Sequence, residues 1–315
     1  MLTMSGIFSD LDVEVSLDAP IGTMTWYGIG GRADVLIKPR AIDALATLVK
    51  RCKRTRTPLR VLGSGANLLV ADEGVDGIVI SLDNAPFREI TFVEEGGDEV
   101  VLTAGAGADM ARTLMETVRR GYEGLQQMAG IPASIGGAIR MNAGGAFGAI
   151  GDAVRSVRCL SRTGDEVVYQ RSQIEFGYRT SNVPDPVILS ASFTLHPADP
   201  IGLRERVKDI FVFKKSTQPL AEHSAGCSFR NPYDPEVEKT VSAGKLIDEA
   251  GLKGATIGGA TVSPQHANFI TVTPGAKAEH VIKLMEVIRQ RVRDVHGIEL
   301  ENEVVIWRRG DGGTL

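Results

Sequence analysis

Residues 124–148 have the composition of a segment whose main chain contacts a bound cofactor. The stretch is rich in glycine and alanine, and Arg140 is its only charged residue. Because glycine inside a helix or strand costs roughly 0.5–1 kcal/mol relative to alanine, this run is not expected to form one regular element. Bare amides, small side chains and the amide of Asn142 instead suit close contact with a large, flat or charged cofactor. A tight, buried connection rich in turns is the alternative interpretation.

A second glycine turn, at residues 63–67, has residue types that bind phosphate. Its backbone amides, together with Ser64 and Asn67, could form a concave site for a diphosphate. A simple β-turn is the alternative. The turn lacks the third glycine of a dinucleotide fingerprint and the lysine of a phosphate-binding loop, and residues 68–70 predict a strand rather than a helix. A plain Rossmann or P-loop site is therefore excluded.

The bulk composition is that of a globular protein, and a length of 315 residues suggests two or three lobes. A formal net charge of −4 argues against a general nucleic-acid binder. No apolar run approaches the ~18 residues of a membrane span, and the acidic N-terminal segment does not resemble a signal peptide. The three cysteines stand far apart, so neither a disulfide framework nor a metal site is indicated. We expect a cytoplasmic protein with reduced thiols.

Apolar periodicity predicts that both helices and strands carry these turns. Residues 23–38 are interpreted as two strands around a glycine bend, and a βαβ-like first lobe follows. A linker at residues 197–200 precedes the last lobe. The predicted helices cover residues 41–54, about 202–215, 242–250 and 278–296, with a further helix that ends at Gly121. The main predicted strands cover residues 59–62, 68–70, 77–82, 153–160, 166–170, 187–195, 269–273 and 298–308, with a hairpin over 89–104.

Eight segments share their order and spacing with one known family. They are IGGRADVLIKP (29–39), LGSGANLLVADEGVDGIVI (62–80), GLQQMAGIPASIGGAIRMNAGG (124–145), FGYRTS (176–181), SAGCSFRNP (224–232), GKLIDEAGLKG (244–254), HANFITV (266–272) and ELENEV (299–304). The family that they resemble is UDP-N-acetylenolpyruvoylglucosamine reductase (MurB), a flavoenzyme family. The resemblance covers residues from about 20 to 308.

The resemblance implies an α+β fold in which FAD is held non-covalently. Its N-terminal region is of the vanillyl-alcohol-oxidase (PCMH) type, with two α+β subdomains, and a C-terminal α+β domain binds the substrate. The implied boundaries are 1–19 for a lead-in, 20–198 for the FAD-binding domain (subdomains about 20–84 and 85–198) and 199–315 for the substrate-binding domain. All five histidines follow residue 195, so none stands in the glycine turns, where it could tether the flavin. The short connection over 185–200 resembles the subtype without an extra tyrosine-bearing loop.

The resemblance also implies a reaction in the synthesis of peptidoglycan precursors. NADPH reduces FAD and leaves, and UDP-N-acetylglucosamine enolpyruvate then accepts a hydride at C3 and a proton at C2, giving UDP-N-acetylmuramate. Negative charge develops on C2 and on the carboxylate, so a cation and a proton donor must face them. A monomer that binds neither nucleic acid nor membrane is expected. A flavin oxidase of the same cofactor fold and a non-catalytic nucleotide-sugar sensor are the alternatives.

Three residues are assigned to this chemistry by the resemblance. Arg179 matches the arginine that polarises the substrate carboxylate, a task that suits a planar guanidinium. Glu303 matches the glutamate that assists the developing enol, and Glu301, on the same face of the predicted strand, is the alternative. Cys227 stands where the family usually has the serine that donates a proton to C2.

The cysteine is the main departure from the family pattern. A thiol, with an ordinary pKa of about 8.5, is a much stronger acid than an alcohol and can protonate a carbanion. A neighbouring arginine could instead convert it to a thiolate, which has no proton to donate. A buried structural thiol, or a register in which Ser228 is the donor, are the alternatives. Gly28 and Arg32 are lesser departures, where many relatives have arginine and proline.

The binding residues follow from the same motifs. Lys214, Lys215 and Gln218 precede the cysteine motif, where cations or amides could meet a diphosphate. The residues predicted to bind substrate are Tyr178, Lys215, Gln218 and Asn231. The residues predicted to bind FAD are Gly63, Ser64, Gly65, Ala66, Asn67, Leu68, Gly130, Ile131, Pro132, Ser134, Gly136, Gly137, Asn142 and Ala143. The roles of His266 and Asn268 are left open.

Overall fold

The computed structural model describes residues 5–234 and 238–313. Residues 1–4 of the predicted lead-in, and 235–237 and 314–315 of the predicted third domain, lie outside the described residues. The α-helices are Ile42–Thr55 (α1), Met110–Arg120 (α2), Ile135–Arg140 (α3), Pro200–Thr217 (α4), Ala243–Glu249 (α5) and Ala278–His296 (α6). Short 3₁₀ segments cover Ser5–Ile7, Ile21–Met24, Ala85–Phe87, Gln126–Met128, Ile150–Asp152 and Arg171–Gln173.

The first lobe is a mixed sheet covered by helix α1. Its strands are Val13–Ala19 (β1), Ala33–Pro39 (β2), Leu59–Leu62 (β3) and Val75–Ser81 (β5). The short strand Leu68–Val70 (β4) is not part of this sheet. The sheet order is β1-β2-β5-β3, in which β1 is antiparallel to β2 and the other pairs are parallel. The βαβ-like prediction is confirmed. Part of the predicted lead-in belongs to this sheet, because β1 pairs along the length of β2.

The prediction of a strand immediately before the glycine bend is wrong. Residues 21–24 form a 3₁₀ turn, and the backbone of Trp26 donates to the carbonyl of Gly65 instead of to a strand partner. Gly28 and Gly30 both have positive φ, which bends the chain away from an extended path. The bend therefore leads the chain past the 63–67 turn.

The second lobe is an antiparallel sheet with helices on one side. Its strands are Ile90–Glu94 (β6), Val100–Gly105 (β7), Val154–Leu160 (β8), Glu166–Gln170 (β9) and Val187–Pro197 (β10), in the order β9-β8-β10-β7-β6. Side chains of both sheets, such as Ile37, Leu102 and Phe193, belong to one hydrophobic core. Two-residue strands occur at Tyr122–Glu123, Gly144–Gly145, Gly148–Ala149, Phe176–Gly177, Thr180–Ser181, Tyr233–Asp234, Lys239–Thr240 and Thr256–Ile257.

The third lobe has its own core around helices α5 and α6. Strands Ala260–Val262 (β11) and Ile270–Val272 (β12) extend a small sheet that packs beside α6. Helical spacing predicts one apolar stripe on α6, made of Val281, Met285, Ile288, Val292 and Val295. The first four are buried in this core, whereas Val295 is 44% exposed. None of the helices in the described ranges is both long and apolar enough to span a membrane.

The last strand crosses from the third lobe to the first. Val305–Trp307 (β13) pairs in parallel with β4, so the predicted strand over 298–308 is correct only at its end. The preceding backbone instead bonds to the cysteine segment, where Arg230 donates to the carbonyl of Glu301 and Glu303 donates to that of Ser228. These bonds come from a segment distant in sequence, so the local pattern could not reveal them.

Helix α4 packs with the second lobe, although the predicted boundary assigns it to the substrate-binding domain. Its buried residues Leu203 and Ile210 lie in the core shared by the first two lobes. Helix α2 is its main helical neighbour. The division between the hydrophobic cores therefore falls after α4, near Gln218.

Candidate active site

A cavity of about 730 Å³ lies where the three lobes meet. This volume is within the roughly 300–1,000 Å³ that is usual for cofactor and ligand sites. Its walls combine residues 62–68 of the first lobe, 130–134, 136–138 and 143–147 of the second and 218–220 and 224–227 of the third. Much of that lining is glycine, alanine or serine, so main chain and small side chains border the interior.

The glycines of the wall are required by close packing between the two turns. A methyl group on Gly63 would lie 2.5 Å from Oγ of Ser134, and one on Gly136 would lie 2.9 Å from Cβ of Ala106. Gly65 has a φ of +68°, and its Cβ would lie 2.8 Å from Cα of Thr25. A side chain at these positions would have to displace backbone or its neighbours. The resulting wall, poor in side chains and rich in amides, fits a flavin nucleotide held along the main chain.

Most of the predicted cofactor residues line this cavity. Asn142 does not line it, because its side chain is bonded elsewhere: Nδ2 donates to the carbonyl of Gly177 (2.9 Å) and Oδ1 accepts from the amide of Gly151 (3.1 Å). Asn142 thus joins the glycine stretch to the segment that precedes Arg179. The predicted cofactor residues that line the cavity are Gly63, Ser64, Gly65, Ala66, Asn67, Leu68, Gly130, Ile131, Pro132, Ser134, Gly136, Gly137 and Ala143.

Arg179 reaches the cavity from the tip of a small hairpin. The strands Phe176–Gly177 and Thr180–Ser181 pair on either side of it, and its φ of 56° is the left-handed conformation typical of such tight turns. Its Nη1 donates to the carbonyl of Gly144 (2.7 Å), and its Nε lies 2.5 Å from Oε1 of Glu303. The guanidinium is therefore held by one partner from the glycine stretch and one from the third lobe.

Glu303 is a buried carboxyl whose main chain is fixed from two sides. Its amide donates to the carbonyl of Ser228 (2.9 Å), and its carbonyl accepts from Nδ2 of Asn67 (3.1 Å). Burial raises the pKa of the Glu303 carboxyl above its ordinary value, although the charge of Arg179 opposes the shift. Glu303 is thereby placed between the 63–67 turn and the segment 224–232 that contains Cys227.

Cys227 lines the cavity, and Asn268 fixes the backbone that follows it. The carbonyl of Asn268 accepts from the amide of Ser228 (2.7 Å), while its side chain both accepts from and donates to the backbone of Phe229 (3.0 and 2.8 Å). Burial, and then the charge of Glu303, raises the pKa of the Cys227 thiol to about 12, outweighing the opposite influence of Arg179. The group at this position is therefore a protonated thiol at neutral pH.

Ser228, the alternative proton donor, and Glu301, the alternative to Glu303, both lie outside the cavity. Ser228 is 1% exposed and does not line the cavity. The Glu301 side chain is 78% exposed, 3.8 Å from the guanidinium of Arg230. Arg179, Cys227 and Glu303, in contrast, all line the same cavity.

Of the predicted substrate residues, only Gln218 lines the cavity. The hydroxyl of Tyr178 accepts from the amide of Asn231 (3.3 Å), which joins the arginine hairpin to the third lobe, and neither residue is part of the cavity wall. Lys215 is exposed on the outer side of α4, while its neighbour Lys214 lines the cavity. The helical spacing of residues 203, 207, 210 and 214 contains this distinction, because it places residue 214 on the buried face.

Comparisons with known proteins agree with this arrangement. A family model described as "FAD binding domain" matches residues 33–169, and one described as "UDP-N-acetylenolpyruvoylglucosamine reductase, C-terminal domain" matches residues 218–307. Fold and site thus define a flavoprotein: an α+β chain with an FAD-binding region of the vanillyl-alcohol-oxidase (PCMH) type and a separate C-terminal domain.

Curated relatives and a solved structure identify the family. The chain is 36% identical to UDP-N-acetylenolpyruvoylglucosamine reductase from Desulfosudis oleivorans, covering 96% of each chain. It is 39% identical to the protein of that name from Paramagnetospirillum magneticum, covering 92% of this chain and 91% of the relative. The crystal structure of the Thermus caldophilus reductase (MurB) superposes with a TM-score of 0.76 at 34% identity, covering 94% of this chain and 99% of that one. The chain belongs to the UDP-N-acetylenolpyruvoylglucosamine reductase family, as the resemblance predicted.

Proposed function

We propose that the protein reduces UDP-N-acetylglucosamine enolpyruvate to UDP-N-acetylmuramate with NADPH, in the synthesis of peptidoglycan precursors. The observation that carries this proposal is the meeting of Arg179, Cys227 and Glu303 in one cavity that the glycine turns also line. Family membership supports the same substrate and the same cofactor.

The residues of the cavity divide the work of the reaction. When bound, FAD that NADPH has reduced supplies the hydride, from its N5 position to C3 of the substrate. Arg179 binds the substrate carboxylate and stabilises the negative charge that develops beside it. Cys227 delivers the proton to C2, and Glu303 orients Arg179 and assists the enol. The hydride and the proton together saturate the carbon–carbon double bond.

A protonated thiol supports the choice of Cys227 as the donor. The raised pKa of the Cys227 thiol, about 12, means that the proton is present when the substrate arrives. The acid is nevertheless stronger than a serine hydroxyl at that position would be. After the transfer, the thiolate must regain a proton from water before the next turnover.

The less specific parts of the proposal concern binding and assembly. The residues of the two turns that line the cavity would hold FAD, and Gln218 would contact the substrate. Tyr178, Lys215 and Asn231 remain predicted substrate residues. We also propose that the protein acts in the cytoplasm. We propose in addition that it is a monomer, because a single chain supplies Arg179, Cys227 and Glu303. Size-exclusion chromatography with light scattering would test the monomer.

Anaerobic spectroscopy tests the function directly. The purified protein is expected to be yellow, and NADPH is expected to bleach it. Addition of UDP-N-acetylglucosamine enolpyruvate without oxygen should restore the oxidised flavin spectrum. A sample that stays bleached with substrate but regains its colour rapidly with oxygen would favour the flavin oxidase instead.

The role of Cys227 is tested by two substitutions at the same position. Cys227→Ala should leave bleaching by NADPH unchanged and slow reoxidation by substrate by about 10²-fold or more, because general acid catalysis contributes about 10²–10⁴-fold. Cys227→Ser restores a hydroxyl donor and should stay active. Stopped-flow absorbance separates the two half-reactions, and equal reoxidation by the alanine variant and the wild type would remove Cys227 from the mechanism.

A further inference from the structure

Lys214 is a buried cation in the cavity wall to which the reaction described above gives no role. The residue is 6% exposed, on the face of α4 that also buries Leu203 and Ile210. Its ammonium donates to the carbonyl of Ala129 at 2.6 Å. It lines the same cavity as Arg179 and Cys227.

No carboxylate neutralises this ammonium within the described ranges 5–234 and 238–313. No carboxylate oxygen of these residues lies within 4.0 Å of the ammonium nitrogen of Lys214. Of the three N–H donors of the ammonium, one bonds to Ala129 and the others have no bonded partner among these residues. A buried charge is costly unless it is paired. Accordingly burial, and then the charge of Arg179, lowers the pKa of Lys214 to about 8.

The lysine also packs against one of the predicted cofactor turns. A methyl group on Gly130 would lie 3.2 Å from Cδ of Lys214, so the absence of a side chain at residue 130 leaves room for the lysine stem. Gly130 has a φ of +69° and itself lines the cavity. The lysine stem therefore packs on this turn, and the charge of Arg179 disfavours the protonated ammonium.

These observations describe a cation whose counter-ion has to come from a ligand. Resting on the proposed function, we propose that Lys214 is a further catalytic residue, the counter-ion of a delocalised oxyanion in the cavity. Two groups of the reaction have this chemistry: the carboxylate of the substrate and the negatively charged ring of reduced flavin. Both spread charge over carbonyl-type oxygens, which an ammonium can meet with its free N–H groups.

Three variants of the flavin-loaded protein test the proposal. Lys214→Gln removes the charge but keeps a donor for the carbonyl of Ala129, and Lys214→Met removes both. Lys208→Met is the matched control, because it removes an exposed charge from the same helix at a residue outside the cavity. Flavin content and thermal unfolding establish that each variant is folded.

Two dissociation constants distinguish the sources of the anion. Sulfite adds to oxidised flavin and leaves the ring negative, so its dissociation constant, read from flavin absorbance, reports stabilisation of that ring. The enolpyruvyl substrate perturbs the oxidised spectrum, which gives its own dissociation constant. Both Lys214 variants should weaken one or both constants by about tenfold or more, since hydrogen bonds to charged groups contribute more than neutral ones. Lys208→Met should change neither.

The outcomes separate the sources and the two proposals. A change confined to sulfite assigns the ring, and a change confined to substrate assigns the carboxylate. If Lys214→Gln matches Lys208→Met in both constants, the proposal is overturned, even where Lys214→Met is impaired. If neither neutral variant retains flavin, Lys214→Arg decides between a charge effect and a structural role. Retention of flavin by Lys214→Arg with normal sulfite affinity supports the charge effect, and loss of flavin from this variant indicates a structural role. The Lys214 variants could weaken sulfite binding while the reduced wild type is not reoxidised by the enolpyruvyl substrate. That result would reject the proposed function and would leave the role of Lys214 supported.

Discussion

Cys227 keeps its proton because two influences on the thiol outweigh a third. Burial and the carboxylate of Glu303 both disfavour a thiolate, whereas Arg179 favours one. The arginine is already paired with Glu303 at 2.5 Å, so its charge is partly neutralised before it acts on the sulfur. The ion pair therefore helps to keep the neighbouring acid in its donating form.

Alkylation of Cys227 should reveal this protonation state. The rate with iodoacetamide should keep rising with pH from 7 to 11, because the thiolate is the reactive form and the pKa of the thiol is about 12 instead of the ordinary value of about 8.5. Quantitative peptide mass spectrometry at this site measures the rate. The same cysteine in denatured protein is the control and should level off near its ordinary pKa. A plateau below pH 9 in the folded protein would show that the thiol ionises readily.

At the level of single residues, the sequence located the proposed reacting residues in the cavity more reliably than the proposed binding residues. Arg179, Cys227 and Glu303 were recognised from short motifs, and all of them line the cavity. Asn142 and Lys215 were chosen by residue type, but their side chains point to other partners or to the surface. Residue type indicates what a side chain can bind, whereas the direction of that side chain depends on packing that a local motif does not contain.

Helix α3 and the first glycine turn form one packed unit in the cavity wall. Ser134 caps α3, its Oγ accepting from the amide of Gly137 at 3.3 Å. That same oxygen occupies the space that a side chain on Gly63 would need. The two cofactor turns are thus matched to each other as well as to a ligand.

A double-mutant cycle measures this match. Ser134→Ala should cost about 1 kcal/mol of stability through the lost cap. Gly63→Ala should cost more and reduce flavin retention, because its methyl would meet Oγ of Ser134 at 2.5 Å. In the double variant the methyl has room, so the two costs should be non-additive by about 0.5–3 kcal/mol. Chemical denaturation and bound-flavin absorbance give both quantities, and strictly additive costs would contradict the steric account.

Elements stabilised by local contacts were predicted from sequence more closely than elements that pair with distant segments. Helix α6 has the predicted bounds, since an apolar stripe and Gly297 with a φ of 68° define it locally. Residues 298–304 were predicted as strand because they alternate, yet their backbone bonds to the segment around Ser228. A pattern of period two predicts an extended chain and leaves its partner undetermined.

For the whole molecule, strand β13 is one of the links between the third lobe and the first, together with the bonds from the first amides of α6 to the Asp72 carboxylate. The amide of Val305 donates to the carbonyl of Asn67 at 3.1 Å, and Nδ2 of Asn67 donates to the carbonyl of Glu303. Asn67, in the 63–67 turn, therefore fixes the main chain that carries the proposed catalytic carboxyl of Glu303. The two lobes are joined at the cavity itself.

Proline at residue 305 should weaken both the link and the cofactor site. Val305→Pro removes the N–H that bonds to Asn67, which should lower the stability by at least about 1 kcal/mol and increase flavin loss. Val305→Ala keeps the N–H and is the matched control, with a smaller effect expected. Thermal unfolding followed by circular dichroism and by flavin fluorescence tests this. Equal melting temperatures for the two variants would mean that the β13–β4 pairing contributes little.

The pairing of β4 with β13 also has a consequence for biosynthesis. Residues 68–70 leave the ribosome long before residues 305–307, and contacts so distant in sequence form late in folding. A nascent chain that has emerged only as far as Gly297 already has its glycine turns, but it lacks both Glu303 and the strand that supports Asn67. The coenzyme pocket is thus completed only once residues 303–307 have been translated.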